Sequence, residues 1–256
     1  MGHPITQAVW GAVWAATAGS VIVFRVGLPV VRSLRHRLRV ETVRPEAPGV
    51  VSVICSGRHL ERLAVFGGQF FCWRFLIRGM WWQAHPYSLS ALPSNNRLRL
   101  TVKAVGDHSQ SVGRIRPGTR VVIEGPYGAF TPCAQRHQKA VLIAGGIGVT
   151  ALRSLLEDLP LRSQPAVILR ATSQEDAVFR QELADLVAVR RGQLHELFGN
   201  RVEVVLDPKL LLRLVPDLRR RDVYVCGPEG FVAEVVEQLR SVGVASGAIH
   251  HEAYVL

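Results

Sequence analysis

The sequence predicts two domains of different class, an antiparallel β-barrel followed by a parallel α/β sheet, with one apolar helix in front of them. Three observations support this prediction. Residues 5–24 carry no Lys, Arg, Asp or Glu, residues 38–131 consist of short apolar runs broken by Gly and Pro, and strand and helix patterns alternate from residue 139 onward. With 256 residues, 48% of them hydrophobic, the chain is long enough for two modest cores and too apolar to be disordered.

The first element is predicted to be a membrane span over residues 5–31. The uncharged run from Ile5 to Phe24 has twenty residues, which as a helix extend about 30 Å, the thickness of the hydrocarbon core of a bilayer. A basic juxtamembrane linker is predicted over residues 32–48, and its arginines suit a lipid headgroup zone on the cytoplasmic side. We therefore expect a single-pass protein of the cell membrane with cytoplasmic C-terminal domains; the alternative is a soluble protein in which this helix is buried in a core.

The next region, residues 38–133, is predicted to be an antiparallel barrel. Its runs are rich in Val, Thr, Ile and aromatic residues, which favour strands, and little in it is typical of a helix. Six strands are expected, with the sequences LRVETVR, VVSVICSG, QFFCWRFLI, HPYSLSAL, RLRLTVKAV and TRVVIEG.

Residues 138–256 are predicted to form a parallel sheet with helices on both faces, because strand and helix patterns alternate. The expected strands are KAVLIAGG, PAVILRA, RVEVVL, DVYVCG and GAIHHEAYV. The expected helices follow the first four strands, at residues 149–159, 178–189, 209–214 and 231–242. Ligands of such sheets bind beyond the carboxyl ends of the strands, so turns at these ends are candidate binding sites.

Two glycine-containing turns follow strands of this sheet. Gly145-Gly146-Ile147-Gly148 opens a helix, and glycines there let the backbone approach a pyrophosphate at the helix N-terminus. Cys226-Gly227-Pro228 follows another strand and is expected to face the same crevice. Tight packing is the alternative for the glycines, and a small buried residue is the alternative for Cys226.

The charge distribution restricts the class of function. The net charge is +11, of which +4 lies in residues 25–49, +9 in residues 50–139 and −2 in residues 140–256. Such a split suits a DNA-binding protein, or a membrane-anchored protein whose first folded domain holds an anionic cofactor. No nucleic-acid motif accompanies it. The four cysteines include no close pair, which argues against structural zinc, an iron–sulfur module and a disulfide framework.

Three motifs of the barrel region become informative when they are taken in order with the two turns. They are His85-Pro86-Tyr87-Ser88, Gly106-Asp107-His108-Ser109 and Gly125-Pro126-Tyr127-Gly128. Each alone is ordinary strand or turn composition. Together the five motifs resemble those of the ferredoxin–NADP reductase superfamily, and within it the reductase half of the ferric reductase and NADPH oxidase membrane family.

The resemblance implies that the barrel binds FAD. It implies Tyr87 against the isoalloxazine, Ser88 near flavin N5, and His85 with Pro86 toward the FAD phosphates. The residues that it places at the adenine side and the pyrophosphate of FAD are Lys103, Gly106, His108 and Ser109. Strand alternation sends Tyr87 and Ser88 to opposite faces, so both can contact one flat ligand only at the end of a strand.

The same resemblance implies that the α/β domain binds NAD(P)H. The residues that it places at the pyrophosphate are Gly145, Gly146, Gly148 and Thr150, and those beside the nicotinamide are Cys226, Gly227 and Pro228. Tyr254 resembles the family's closing aromatic residue and would cover the flavin until nicotinamide displaces it. Ser88, Cys226 and Tyr254 are therefore the candidate catalytic residues. Ala151 departs from the family pattern, which usually has Pro there.

Two arginines bear on the choice of nucleotide. Arg170 lies at the end of the second strand of the domain, and Arg180 lies one helical turn into the segment that follows. An arginine at this position can bind the 2′-phosphate of NADPH, whereas a solvated arginine is the alternative. NADPH is therefore favoured over NADH.

The predicted function is that of an FAD-dependent NAD(P)H oxidoreductase that passes single electrons to an acceptor such as haem or ferric iron. The expected cofactors are FAD and NADPH or NADH; no metal site, haem ligand or iron–sulfur ligand is expected in this chain. The expected partners are an electron acceptor, such as a haem-bearing membrane subunit, and the lipid bilayer, but not nucleic acid. The alternative is a catalytically silent partner subunit of a membrane electron-transfer complex.

Overall fold

The structure, a computed structural model, describes residues 4–200 and 202–254. Its first sheet contains six strands: β1 (Arg39–Ala47), β2 (Val50–Ser56), β3 (Phe70–Phe75), β4 (His85–Ser94), β5 (Arg97–Lys103) and β6 (Val121–Tyr127). They pair antiparallel in the order β1-β2-β5-β4-β3-β6. Backbone hydrogen bonds from Val40 to Thr119 and from Val121 to Leu38 close this sheet into a barrel. The predicted antiparallel barrel is confirmed.

Side-chain alternation fills the inside of the barrel. In β3, Phe71, Trp73 and Phe75 are buried, whereas the residues between them are less so, because successive side chains of a strand point to opposite faces. β5 contributes Leu100 in the same way. A short helix, α3 (Asp107–Val112), follows β5 and adds its last residue to this core. A barrel filled by side chains leaves ligand space only at its rim.

The second sheet contains five parallel strands: β7 (Ala140–Gly145), β8 (Ala166–Ala171), β9 (Gln193–Phe198), β10 (Asp222–Pro228) and β11 (Ile249–Tyr254). They pair in the order β11-β10-β7-β8-β9. The helices of this domain are α4 (Val149–Asp158), α5 (Arg180–Val189), α6 (Pro208–Leu214) and α7 (Glu229–Ser241). α4 and α5 contribute to one apolar core, α6 and α7 to another. β7 is buried throughout, as expected for a parallel strand covered on both faces. The predicted parallel sheet is confirmed.

One predicted strand of this sheet is wrong. In the run RVEVVL, the described residues 202–206 form turns and irregular backbone, and Val202 is 88% exposed. The edge strand is instead β9, which is half-buried along most of its length. Gly199 follows it with a φ of +142°, a conformation that favours glycine. An edge strand needs little apolar character, so β-branched composition pointed to the wrong run.

Two helices precede the barrel. α1 (Pro4–Ile22) is followed by a π-helical turn, Val23–Gly27, and by α2 (Leu28–His36). The α-helical geometry changes after Ile22, and Gly, Thr, Ser and Gln residues lower the apolar character of α1. In the part of the chain that the structure describes, no helix is both long and apolar enough to cross a membrane. The predicted span over residues 5–31 is therefore not confirmed.

The end of α2 and the whole of β1 occupy most of the predicted linker, residues 32–48. Val40 in β1 is buried in the barrel, which makes this segment part of the first sheet. The amide of Arg58 donates to the carbonyl of His36 at 2.7 Å, and His36 Nδ1 lies 2.8 Å from the carbonyl oxygen of Arg58. These contacts attach the C-terminus of α2 directly to the connection between β2 and β3.

A polar interface joins the two domains. The Arg99 guanidinium on β5 donates to both carboxylate oxygens of Glu182 in α5, at 2.8 and 2.7 Å. Arg153 in α4 donates to the same carboxylate at 2.8 Å. The amide of Leu92 in β4 donates to Glu157 in α4, also at 2.8 Å. These contacts fix the barrel relative to the parallel sheet, and with it the shape of the space between them.

Candidate functional site

A cleft of about 680 Å³ lies where the barrel rim meets the carboxyl ends of β7 and β10. Ligand sites of proteins typically have this size. The predicted site residues that line it are Pro86, Tyr87, Ser88, Lys103, Gly106, Ser109, Gly148, Thr150, Cys226 and Tyr254. The structure therefore brings together most of the barrel residues and part of both glycine turns.

A smaller cleft of about 400 Å³ adjoins the first. The two share Lys103, Ile147 and Tyr254. The predicted site residues that line the smaller one are Lys103, Gly145, Gly146, Arg170, Pro228 and Tyr254. The site thus consists of two connected chambers, and Tyr254 stands between them.

Tyr87 and Ser88 both face the larger cleft because β4 changes its pairing partner beside them. Ser88 is paired with Phe70 of β3, and the next residue, Leu89, is paired with Leu100 of β5. The strand side toward β5 is therefore open at Tyr87 and Ser88. This is the strand-end situation in which two alternating side chains contact one flat ligand, as the sequence required.

The aromatic ring of Tyr87 is held in place from two sides. The indole N–H of Trp73 donates to the backbone carbonyl of Tyr87 at 3.0 Å, and the His85 ring stacks on the Tyr87 ring with a centroid distance of 6.4 Å. Burial raises the pKa of Tyr87 to about 12, so the phenol is neutral at physiological pH. Burial also lowers the pKa of His85. This imidazole lies behind Tyr87, with Nε2 3.4 Å from Oε1 of Gln83.

The turn at residues 105–109 forms the far wall of the larger cleft. The Ser109 hydroxyl accepts the amides of Val105 and Gly106, both at 2.9 Å, and donates to the Gly106 carbonyl at 2.8 Å. Ser109 therefore holds the start of α3 in shape as well as lining the cleft. The side chain of His108, a predicted site residue, lies outside what the structure describes.

The glycines of the two turns are required by packing. A Cβ on Gly148 would overlap the carbonyl of Cys226, and a Cβ on Gly145 or on Gly227 would lie 2.6 Å from the ring of Phe231. Only a hydrogen atom fits at these places. Packing therefore accounts for Gly145, Gly148 and Gly227, and two of them, Gly145 and Gly148, also line the clefts. Gly146 differs, because its φ of +53° and not a close contact favours glycine there.

Thr150 is the second residue of α4, the helix that follows the first glycine turn. The Thr150 hydroxyl donates to the carbonyl of Ile147 at 2.9 Å, within the turn itself. Thr150 is buried and lines the larger cleft. Ala151, the departure from the family pattern, is buried as well, and α4 begins at Val149 without a proline.

Cys226 and Glu252 lie side by side on neighbouring strands at the floor of the cleft. They are register partners in β10 and β11, and both line the larger cleft. Burial raises the pKa of the Cys226 thiol and that of the Glu252 carboxyl, so both groups favour their neutral forms. Oε2 of Glu252 is buried and has no hydrogen-bond partner among the described residues. A buried orphan oxygen is unfavourable unless a ligand or a proton satisfies it.

Glu252 is a site residue that sequence reasoning missed. The signal was present, since Glu252 is two residues before Tyr254 in a strand and such residues share a face. Tyr254 itself donates its hydroxyl to the Gly145 carbonyl at 2.9 Å, and burial raises its pKa. The tyrosine hydroxyl is therefore hydrogen-bonded to the first glycine turn.

The two predicted nucleotide-selecting arginines are not equivalent. Arg170 lines the smaller cleft, and one of its terminal nitrogens donates to the carbonyls of Ala171 and Gly199 at 3.0 and 2.7 Å. Arg180 is held by Glu196 in a two-point ion pair with distances of 2.5 and 2.8 Å. The structure thus brings Arg170 to the site and pairs Arg180 with a carboxylate on the neighbouring strand.

An antiparallel barrel joined to a parallel sheet, with a two-chambered cleft between them, is a fold of the ferredoxin reductase type. Residues 49–131 match the family described as an FAD-binding domain.

Two relatives extend this similarity over most of the chain. A flavohemoprotein of Vibrio cholerae is 29% identical over 181 residues, which cover 66% of this chain and 45% of that protein. An NADPH oxidoreductase of Mycobacterium tuberculosis is 30% identical over 198 residues, 73% of this chain and 51% of that protein. The chain therefore spans about half the length of these relatives.

Solved structures show the same fold. The FAD/NAD binding domain of nitric oxide dioxygenase from Vibrio cholerae aligns with a TM-score of 0.70 at 23% identity, covering 86% of this chain and 98% of that one. A ferredoxin NADP+ reductase from Neisseria gonorrhoeae with bound FAD and NADP aligns with a TM-score of 0.70 at 17% identity, covering 84% and 97%.

The described residues fit FAD. Tyr87 offers a flat aromatic face, Ser88 offers a hydroxyl at the open strand edge, and Lys103 places an ammonium group between the two chambers. A flat ring system and a pyrophosphate need these three kinds of group. The orphan oxygen of Glu252 adds a buried polar atom that a ligand can satisfy.

Proposed function

We propose that the protein is an FAD-dependent NAD(P)H oxidoreductase that delivers electrons to a separate acceptor. The main support for this proposal is the pair of connected chambers that meet at Tyr254. One is lined by the FAD-binding barrel and the other by both glycine turns. When bound, FAD accepts a hydride from the reduced nicotinamide and releases electrons one at a time. The role of the protein is to hold the flavin and the nicotinamide in contact.

Within this proposal the chain's own residues have separate tasks. Tyr87 holds the ring system from the barrel side, and Ser88 hydrogen-bonds its edge. Tyr254 occupies the opening between the chambers and leaves it when its hydroxyl gives up the hydrogen bonds to the first glycine turn, among them the one to the Gly145 carbonyl. Cys226, packed against Gly148, keeps the floor of the cleft neutral. Glu252 lies beside it, and burial raises the pKa of this carboxyl.

We propose NADPH as the preferred nucleotide, on the strength of Arg170 alone. Arg170 lines the smaller chamber together with Lys103, so two positive groups face a phosphate there. Arg180 is paired with Glu196 and contributes no free charge. Replacing Arg170 by Gln is expected to raise the KM for NADPH more than that for NADH, and an equal rise for both would refute this selection.

We further propose that the acceptor is haem or ferric iron supplied from outside the described domains. The relative from Vibrio cholerae is named a flavohemoprotein, which supports a haem acceptor. The described residues contain no cluster of His, Cys, Asp and Glu suited to a metal.

Membrane attachment through residues 5–31 is also proposed, with the two domains on the cytoplasmic side. Its support is the surface of α1 and the π-helical turn, where Trp10, Trp14 and Phe24 are all exposed in an uncharged run. A contiguous apolar surface of this kind marks an interaction site. If the protein is attached in this way, extraction from cells requires detergent, and removal of residues 1–27 abolishes that requirement.

The proposed activity is tested by loading the purified full chain with FAD. The account expects a stoichiometric flavin with visible absorbance, and electron transfer from NADPH to ferric chelates, cytochromes or oxygen in an acceptor panel. A protein that stays colourless after FAD addition would contradict the proposal and favour a silent partner subunit.

A further inference from the structure

A second concave region lies at the end of the barrel away from the cleft. Its cavity of about 550 Å³ is enclosed by the end of α2, the starts of β1 and β6 and the end of β2. We call it the arginine pocket, after the polar residues that line it, Ser33, Arg37, Arg39, Ser56, Arg58 and Arg120.

The strand register separates this pocket from the cofactor cleft. β2 and β5 are paired with Val50 opposite Lys103 and Ser56 opposite Arg97. Lys103 lines the cleft and Ser56 lines the pocket. Six residues of strand at about 3.3 Å each place the two sites roughly 20 Å apart. The arginines of the pocket therefore belong to a different site.

The charge of the pocket is uncompensated. Among the described residues, none of its four arginines forms an ion pair with a carboxylate. The nearby acid Glu41 is engaged by Arg97 in β5, at 2.7 Å. Arg39 alone has a protein acceptor, the carbonyl of Gly118 at 2.9 Å. The four arginines are exposed, and an anion in the cavity would be attracted by all of their guanidinium groups at once.

A phosphate group suits this pocket better than a carboxylate. Guanidinium groups bind phosphate oxygens through paired N–H donors, and a phosphate offers enough oxygens for several arginines at once. Ser33 and Ser56 supply hydroxyls at the same cavity.

The surroundings of the pocket indicate where the phosphate comes from. The amide of Leu76 donates to the carbonyl of Arg120 at 2.9 Å, which places the turn between β3 and β4 beside the pocket. This turn carries Trp81 and Trp82, which are 59% and 56% exposed and pack edge to face at 5.8 Å. Exposed tryptophans beside arginines are typical of the boundary between lipid headgroups and acyl chains. The adjoining α2 leads to the exposed apolar α1.

We infer that the arginine pocket binds the phosphate of an anionic phospholipid headgroup. The choice of a lipid as the source rests on the proposed membrane attachment, whereas the phosphate chemistry does not. Bound in this way, the barrel turns its Trp81 end to the bilayer, and the cofactor cleft lies at the other end of the same strands.

The test uses the full chain loaded with FAD and two kinds of vesicle, phosphatidylcholine alone and phosphatidylcholine mixed with phosphatidic acid. The variant Arg58→Gln/Arg120→Gln removes two pocket charges. The matched control Arg213→Gln/Arg220→Gln removes two exposed charges from the other domain. The preference for anionic vesicles is expected to fall roughly 30-fold in the pocket variant and by no more than about twofold in the control, since each arginine near such a surface contributes about 1 kcal/mol.

A titration with inorganic phosphate separates the two sources. Saturable binding that the pocket variant loses and the control keeps supports a phosphate site. If the pocket variant also keeps the wild-type preference for anionic vesicles, the phosphate site is supported and the phospholipid as its ligand is refuted. Equal behaviour of both double variants in both assays overturns the pocket altogether. Failure of the wild type to bind either vesicle refutes membrane attachment, and the phosphate titration then decides on the pocket. If the double variant does not retain FAD, Arg58→Gln alone serves.

Discussion

The two domains line the cleft with different kinds of group. The barrel presents side chains, Tyr87 and Ser88, at a point where β4 changes its pairing partner. The parallel sheet adds backbone to its side chains, because Gly148 in the first glycine turn lines the cleft and leaves no room for a side chain. A side chain can be shortened while the strand stays in place, whereas a backbone turn at contact distance tolerates no added atom. Mutations on the barrel side are therefore expected to change the affinity for the cofactor. Mutations on the sheet side are expected to change the stability of the fold.

The largest effect is expected from adding one methyl group to the sheet side. Gly148→Ala would drive a Cβ into the carbonyl of Cys226, so the two turns must separate. Overpacking of this kind lowers the free energy of unfolding by about 1–3 kcal/mol or more. Gly106→Ala is the matched change on the barrel side, where a Cβ meets no atom within 4 Å. Thermal unfolding of both variants checks the difference, and equal losses would break the comparison.

On the barrel side, Tyr87→Ala is expected to weaken FAD binding by about tenfold to a hundredfold, since stacking on an aromatic ring contributes about 1–3 kcal/mol. The fold is expected to remain, because Tyr87 is only partly buried at the rim. Fluorescence titration with FAD and thermal unfolding measure the two quantities. Trp82→Ala, an exposed aromatic at the other end of the barrel, is the control. A Tyr87→Ala protein that binds FAD as tightly as this control would show that the ring makes no contact.

The polar interface between the domains gives a smaller effect. Burial opposes ionisation of Glu182, but the hydrogen bonds and charges of Arg99 and Arg153 outweigh it and lower the pKa of this carboxyl. A lowered pKa stabilises the fold above the pKa of the unfolded chain, and this contribution is lost as the pH falls. Glu182→Gln is expected to reduce the free energy of unfolding by about 1 kcal/mol at neutral pH, with less difference near pH 4. A pH-independent difference in denaturant unfolding would contradict the ion-pair account.

The smallest effect concerns Glu252, whose pKa is raised by burial. A carboxyl with a higher pKa in the folded chain holds its proton longer, so stability declines as the pH rises through that pKa. Glu252→Gln is expected to remove this decline. The melting temperature measured across the acid to neutral range checks it, with Glu237→Gln on the exposed face of α7 as control. Parallel profiles of the wild type and Glu252→Gln would contradict a raised pKa of Glu252 in the fold.

How far the sequence predicts the site also differs between the two domains. The turns at Gly145–Gly148 and Cys226–Pro228 are visible in the sequence because glycine at contact distance has no substitute. The edge strand β9 was not predicted, because its half-buried residues carry a weaker apolar pattern than the exposed run after Gly199. Arg180 shows the remaining limit. Glu196 of β9, sixteen residues further on, pairs with this first residue of α5, and no local pattern reveals a contact between a helix and the strand that follows it.

The barrel, too, has some features that the sequence predicts and others that it does not. Six strands follow from alternation, but the open edge beside Tyr87 and Ser88 depends on where β4 exchanges β3 for β5. That exchange is a property of the register, which composition does not specify. The position of Glu252 two residues before Tyr254 was a usable signal, but its contact with Cys226 depends on the register of β10 and β11.

The most direct test of the central claim is anaerobic stopped-flow reduction of the FAD-loaded protein, followed by the visible flavin absorbance. We predict that NADPH bleaches the flavin in a saturable phase and that NADH needs a higher concentration to reach half of its maximal rate. The variant Gly148→Ala, where it folds, is expected to lack this phase. An FAD-loaded wild-type protein whose flavin neither nucleotide reduces would contradict the account.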